Sequence, residues 1–147
     1  MKIALINGPN LNMLAYRDKS VYGDLSYESL LERMDQEADK LNIEYLETFQ
    51  SNHEGEIIEY IQGLVKSKFD GILINPGAFA HYSIAILDAL QMFHGVVVEC
   101  HLSDVRKRES YRQVLITAEA CDQFICGKGI DSYVEGLHYI VETISKK

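Results

Sequence analysis

The 147-residue sequence has only two prolines, and no apolar run in it approaches the ~20 residues that a membrane span needs. After Lys2, four apolar residues precede Asn7-Gly8-Pro9, too few for the core of a secretory signal. A soluble, cytoplasmic chain is expected. Its 14 lysines and arginines face 22 aspartates and glutamates, a formal charge of −8. That balance opposes nucleic acid and anionic membranes, because affinity for phosphate backbones comes from clustered Lys and Arg. Cys100, Cys121 and Cys126 show no Cys-x-x-Cys pairing and no zinc-site spacing, which points to free thiols in a reducing compartment. Repeats, linkers and low-complexity stretches are missing as well, so a single domain over 1–147 is expected, and a domain of this size buries roughly 68–70% of its unfolded surface.

Short β-rich runs alternate with longer segments of helical period, the pattern of βα units around a parallel sheet. Strands are expected near Lys2–Ile6, Ile43–Phe49, Gly71–Asn75, Val96–His101 and Gln123–Cys126. Helices are expected from Ser26 or Tyr27 to Leu41, Glu54 to Lys66, Ile84 to Phe93 and Ser132 to Ile144. The predicted fold is a flavodoxin-like, doubly wound α/β domain with a five-stranded parallel sheet, order 2-1-3-4-5, and helices on both faces. Such sheets bind ligands at the carboxyl ends of strands beside the switch in strand order. Here those ends carry Asn7-Gly8-Pro9-Asn10, Asn75-Pro76-Gly77-Ala78 and Glu99-Cys100-His101-Leu102-Ser103.

Period-two alternation places Glu99, His101 and Ser103 on one face at the end of the fourth strand. A carboxylate two residues from a His can accept its ring N–H, fix its tautomer and raise its basicity. An isolated Glu-x-His is more often a pair satisfying itself at a sheet edge; the position beside the switch point favours chemistry. Between the first strand and first helix lies a polar connection of about 11–24, long for such a loop, which holds Arg17 and Tyr22. From spacing alone these are an exposed Arg and a packed Tyr. The run Arg106-Lys107-Arg108-Glu109-Ser110-Tyr111-Arg112 is the densest positive stretch, and helical spacing would put Arg108 and Arg112 on one face.

Taken together, Asn7-Gly8-Pro9-Asn10-Leu11, Arg17 with Tyr22-Gly23, Gln50-Ser51-Asn52-His53-Glu54-Gly55, Asn75-Pro76-Gly77-Ala78 with His81 and Ser83, Glu99-Cys100-His101-Leu102-Ser103 and Arg108-Glu109 with Arg112 resemble the type II 3-dehydroquinate dehydratases. The match runs in order over nearly the whole chain. The resemblance implies a cofactor-free, metal-free hydro-lyase that turns 3-dehydroquinate into 3-dehydroshikimate and water in the shikimate pathway. It implies that Tyr22, beside Arg17, removes a proton from C2, with the enolate held through a water near Asn10 and the Pro76–Ala78 backbone. His101, oriented by Glu99 and assisted by Asn75, would protonate the departing C1 hydroxyl. Leu102 and Ser103 would hold the substrate carboxylate, His81 and Arg112 the ring hydroxyls, and Asp88 would enter from a neighbouring subunit of a homododecamer, a tetramer of trimers. Arg108 would support the base or a lid at about 11–24.

Several positions depart from the family's habit: Leu87 for Arg, Lys19-Ser20 for Glu-Pro, Ser132 for Gly before Tyr133, and much of Gln113 to Cys121. A nucleotide- or ligand-sensing module on the same fold would rest on Gly127-Lys128-Gly129, which follows the last strand instead of the first and lacks the remainder of a dinucleotide fingerprint. A metal-dependent hydratase would use His81, His101 and Glu99. His53, His94 and His138 read as exposed or satisfied side chains.

Overall fold

A computed structural model describes all 147 residues. Five parallel strands, β1 (Lys2–Asn7), β2 (Tyr45–Gln50), β3 (Gly71–Asn75), β4 (Val96–His101) and β5 (Gln123–Cys126), lie in the order β2-β1-β3-β4-β5, as the alternating pattern predicts. The helices are α1 (Lys19–Tyr22), α2 (Tyr27–Lys40), α3 (Glu54–Lys66), α4 (Ile84–Gln91) and α5 (Asp131–Ser145). None is long and apolar enough to cross a membrane.

Strands β3 and β4 are buried along their whole length, which is why they read as continuous apolar runs. Alternate residues go to opposite layers. Ile3, Leu5, Leu73 and Val98 pack with Leu30 and Met34 of α2 and with Leu137 and Ile140 of α5. Ala4, Ile6, Ile72, Ile74 and Val97 pack with Ile57 and Ile61 of α3 and with Ile86 and Leu90 of α4. By the same alternation Glu99 and His101 follow Val97 onto the α3 and α4 side.

The boundaries differ from expectation where local hydrogen bonds compete. Ile43 donates its N–H to Ala38 O, and Asn42 takes φ 55°, so the chain leaves α2 through a tight turn and β2 starts at Tyr45. At the other end Ser26 caps α2, its Oγ accepting the Ser29 N–H at 3.0 Å. Helix α4 ends at Gln91 because Met92 and Phe93 donate to the carbonyls three residues back, tightening the last turn. Residues 11–24 are not an irregular loop. They form a 3-10 stretch, Leu11–Tyr16, followed by α1, whose cap Asp18 accepts the Ser20 N–H at 2.9 Å. Proline at that position could not donate this bond, so the Lys19-Ser20 departure carries its own local support.

The ends of β1 and β3 are drawn together by two glycines. A β-carbon on Gly8 would stand 2.4 Å from Pro76 O, and Gly77, at φ 59°, would bring one within 3.1 Å of Pro9 O. Gly8 donates its N–H to Asn75 O at 2.8 Å.

Candidate active site

One crevice opens at the carboxyl ends of the central strands, where the switch in strand order lies. Arg17, Tyr22, Asn75 and His81 line it. So do His101, Leu102, Ser103, Arg108 and Arg112. Its free volume is about 30 Å³. A larger hollow of about 630 Å³, between β5 and α5, contains none of these groups. Convergence of polar chemistry marks the smaller one as the candidate site.

At the end of β4, His101 Nε2–H donates to Glu99 Oε1 at 2.7 Å, which leaves Nδ1 as the free ring nitrogen. Glu99 is 0% exposed, and a carboxylate so buried must be paired and hydrogen-bonded. Its second oxygen, Oε2, accepts the Thr117 hydroxyl at 2.7 Å. His81 lies alongside, its ring centroid 6.4 Å from that of His101, and its Nδ1–H donates to Val114 O at 2.8 Å. Burial holds the His81 imidazole below its ordinary value, with His101 and Arg112 pushing the same way and the Val114 carbonyl opposing. A neutral His81 keeps Nε2 as an acceptor.

Asn75, the last residue of β3, is held at both ends of its amide. Its Nδ2 donates to Tyr133 Oη at 2.7 Å and its Oδ1 accepts the Gly77 N–H at 3.0 Å. Tyr133 donates in turn to Asn7 Oδ1 at 2.7 Å. Full burial drives the Tyr133 hydroxyl well above its ordinary value, so it stays a donor.

The 11–24 segment supplies the opposite chemistry. The Arg17 guanidinium carbon sits 3.7 Å from the Tyr22 ring centroid. Arg108 Nη1 donates to Tyr22 Oη at 3.0 Å and to Ser103 Oγ at 3.2 Å. Burial lowers Arg17 from its usual value, Arg108 and Arg112 adding to this and Tyr22 opposing it. One guanidinium thus lies over the face of the Tyr22 ring and the other at its oxygen. Arg108 and Arg112 arrive here without an α-helix. Two 3-10 turns, Val105–Lys107 and Ser110–Arg112, flank an extended Arg108, and the Arg112 Nε–H donates to Glu109 at 3.0 Å.

Three predicted residues do not line this crevice. Asn10 is exposed, its backbone N–H bonded to Asn52 Oδ1 at 3.0 Å, and Asp88 is exposed on α4. Glu99 stands behind His101 instead of lining the cavity. Leu87 is buried within α4, and buried Ser132 accepts the Lys128 N–H at 3.1 Å. The three free thiols take no part: burial pushes Cys100 and Cys121 upward, and Cys126 lies near Asp104. Nor do His81, His101 and Glu99 converge as metal ligands, since His101 Nε2 faces Glu99 and His81 Nδ1 faces a carbonyl.

Thr117 and Tyr133 were not legible as site residues. Each is fully buried, and no local spacing ties it to the strand ends it serves. Thr117, polar among Val114, Leu115, Ile116 and Ala118, offers a weak signal, and Tyr133, beside Asp131, Ser132 and Glu135, offers none.

Residues 1–141 match the family Dehydroquinase class II. The chain is 47% identical to the 3-dehydroquinate dehydratase of Clostridium acetobutylicum over 146 residues, covering 99% of this chain and 100% of the relative. It is 46% identical to that of Thermotoga petrophila, covering 99% of each. Among solved structures, type II dehydroquinase from Butyrivibrio crossotus superposes with a TM-score of 0.93 at 43% identity, over 95% of this chain and 97% of that one. The Propionibacterium acnes enzyme gives 0.91 at 28% identity, over 96% of each. From its first residue to the start of the last helical turn, this chain belongs to the class II dehydroquinase family.

Proposed function

We propose that the protein removes water from 3-dehydroquinate, giving 3-dehydroshikimate, by anti elimination through an enolate. One observation carries the reading: a tyrosine held by two guanidiniums and a histidine held by a buried carboxylate line the same cavity.

Tyr22, as phenolate, takes the C2 proton, and the C–H electron pair moves into the C3 carbonyl as an enolate. That pair then returns to form the C1–C2 double bond while the C1–O bond breaks. The oxygen leaves as water with the Nδ1 proton of His101 in its doubly protonated form, the Nε2 proton staying on the Glu99 side of the ring, and solvent exchange returns the proton to His101 and removes the one gained by Tyr22. Ser103 and the Leu102–Ser103 backbone hold the carboxylate, and His81 and Arg112 the ring hydroxyls. Arg17 stabilises the phenolate from the ring face, and Arg108 joins it to the carboxylate subsite through Ser103. General acid and base contributions of this kind are worth roughly 10²- to 10⁴-fold each.

Access requires motion. A water needs at least about 10–15 Å³ of such space, so a cavity of about 30 Å³ admits a carbocyclic acid only if a wall moves. Helix α1 buries none of its residues, which makes the segment around it the wall that yields and then closes as a lid. Asp88 acts from a neighbouring copy of the chain. It shares an exposed α4 face with Ile84, and Tyr82, Tyr111 and Val114 are exposed nearby, the apolar surface that assembly into a homododecamer would cover.

Growth of the ultraviolet absorbance of the conjugated enone, when pure protein meets 3-dehydroquinate in excess chelator, tests this reading. Sustained growth is the expected result; none at all would overturn it.

A further inference from the structure

The segment from Val114 to Asp122 lies away from the strand ends, yet it touches both histidines of the crevice. Its Val114 carbonyl holds His81, and its Thr117 hydroxyl holds Glu99 behind His101. The segment is laced down on both sides of Thr117. Ile116 donates its N–H to Ala80 O at 2.8 Å, next to His81. Asp122 and Val97 of β4 exchange two bonds, Asp122 N–H to Val97 O at 2.7 Å and Val97 N–H to Asp122 Oδ2 at 2.8 Å. Thr117 therefore meets Glu99 from a fixed position, with none of its surface exposed.

We infer that Thr117 is a positioning residue for the acid: its hydroxyl fixes the orientation of the Glu99 carboxylate, which in turn holds the His101 ring in place. The inference rests on the reading of His101 as the acid. Glu99 has two oxygens and no water-exposed surface; one faces His101 Nε2, and the other has Thr117 as its sole strong donor. Cys121 Sγ, at 4.0 Å from Oε2, is too distant and too weak a donor to replace it. Without the hydroxyl, a buried carboxylate oxygen goes unsatisfied, and Glu99 relieves this by turning toward another donor, drawing the His101 ring with it. The imidazole is then out of line with the leaving oxygen and the poorer acid.

The base half of the reaction makes no use of Thr117, so the two steps should separate. Elimination is read from enone absorbance, and enolate formation from deuterium entering C2 of 3-dehydroquinate in D2O, followed by NMR. In full-length Thr117→Val, which keeps the shape and removes the donor, kcat should fall roughly 10- to 100-fold, the factor a hydrogen bond to a charged group carries, with KM changed by less than about twofold. Deuterium should enter C2 at close to the unaltered rate. Thr117→Ala should match the Val variant, and Thr117→Ser, which restores a hydroxyl, should recover kcat to within about threefold. Unchanged kcat in Thr117→Val, or exchange that falls in step with kcat and is not rescued by serine, would overturn the inference. Failure of the unaltered protein to eliminate water would instead strike the dehydratase reading, and this inference would fall with it.

Discussion

His101 is the last residue of β4, a strand buried from end to end, whereas Tyr22 is the last residue of a four-residue helix in which no residue is fully buried. The proposed acid is fixed by a strand, a carboxylate and a threonine, all preset by the core. The proposed base is fixed mainly by two arginines, one of which travels with it. A cavity with one rigid wall and one yielding wall can admit a substrate and still present groups to it in register. The contrast also separates what each wall should do when cut: losses at β4 should leave enolate formation running, and losses in the 11–24 segment should stop it.

The largest effect is expected from Tyr22→Phe, which removes the only candidate base. We predict a kcat lower by roughly a thousandfold or more, with substrate affinity by calorimetry near normal. Arg17→Ala and Arg108→Ala should each cost roughly a hundredfold in kcat, as for loss of a preorganised charge at the reacting centre. Arg108→Ala should also raise KM, because Arg108 alone contacts both Tyr22 and Ser103. Equal behaviour of the two variants would break the assignment of Arg108 to both walls.

A smaller effect concerns pH and stability. His81 is held by burial below its ordinary value of 6.5. Between the folded value and 6.5 the unfolded chain binds more protons, so stability rises with pH through that window and is lost as pH falls through it. His81→Gln should flatten this part of the profile in urea titrations at successive pH values. The smallest change is expected from Asp18→Ala, which uncaps α1 without touching the cavity. It should raise hydrogen exchange at Ser20 to Tyr22 and alter kcat by about two- to fivefold.

The fold was legible because β1, β3 and β4 are apolar on both faces, a pattern that a parallel sheet between helices requires, and because Ser26 and the periodicity of α2 fix a helix locally. The strand-end half of the site followed from topology, since alternation along β4 alone places Glu99 beside His101. The 11–24 half did not. Arg17 and Tyr22 are brought together by a 3-10 stretch and a short helix whose geometry depends on Asp18, and only the family resemblance singled them out. Helical spacing is not what brings Arg108 and Arg112 together, because Arg108 is extended; two turns lead both arginines to the cavity. Thr117 is 18 residues from Glu99 and Tyr133 is 58 from Asn75, separations at which no local rule predicts a hydrogen bond.

The division of labour between the two walls is tested most directly by following deuterium uptake at C2 and water loss together in His101→Gln and Tyr22→Phe. With His101→Gln, uptake at C2 should continue while dehydration falls by roughly a thousandfold; with Tyr22→Phe, both should stop. If uptake and dehydration collapse together in His101→Gln, or if uptake survives in Tyr22→Phe, the roles assigned to the rigid and the yielding wall are wrong.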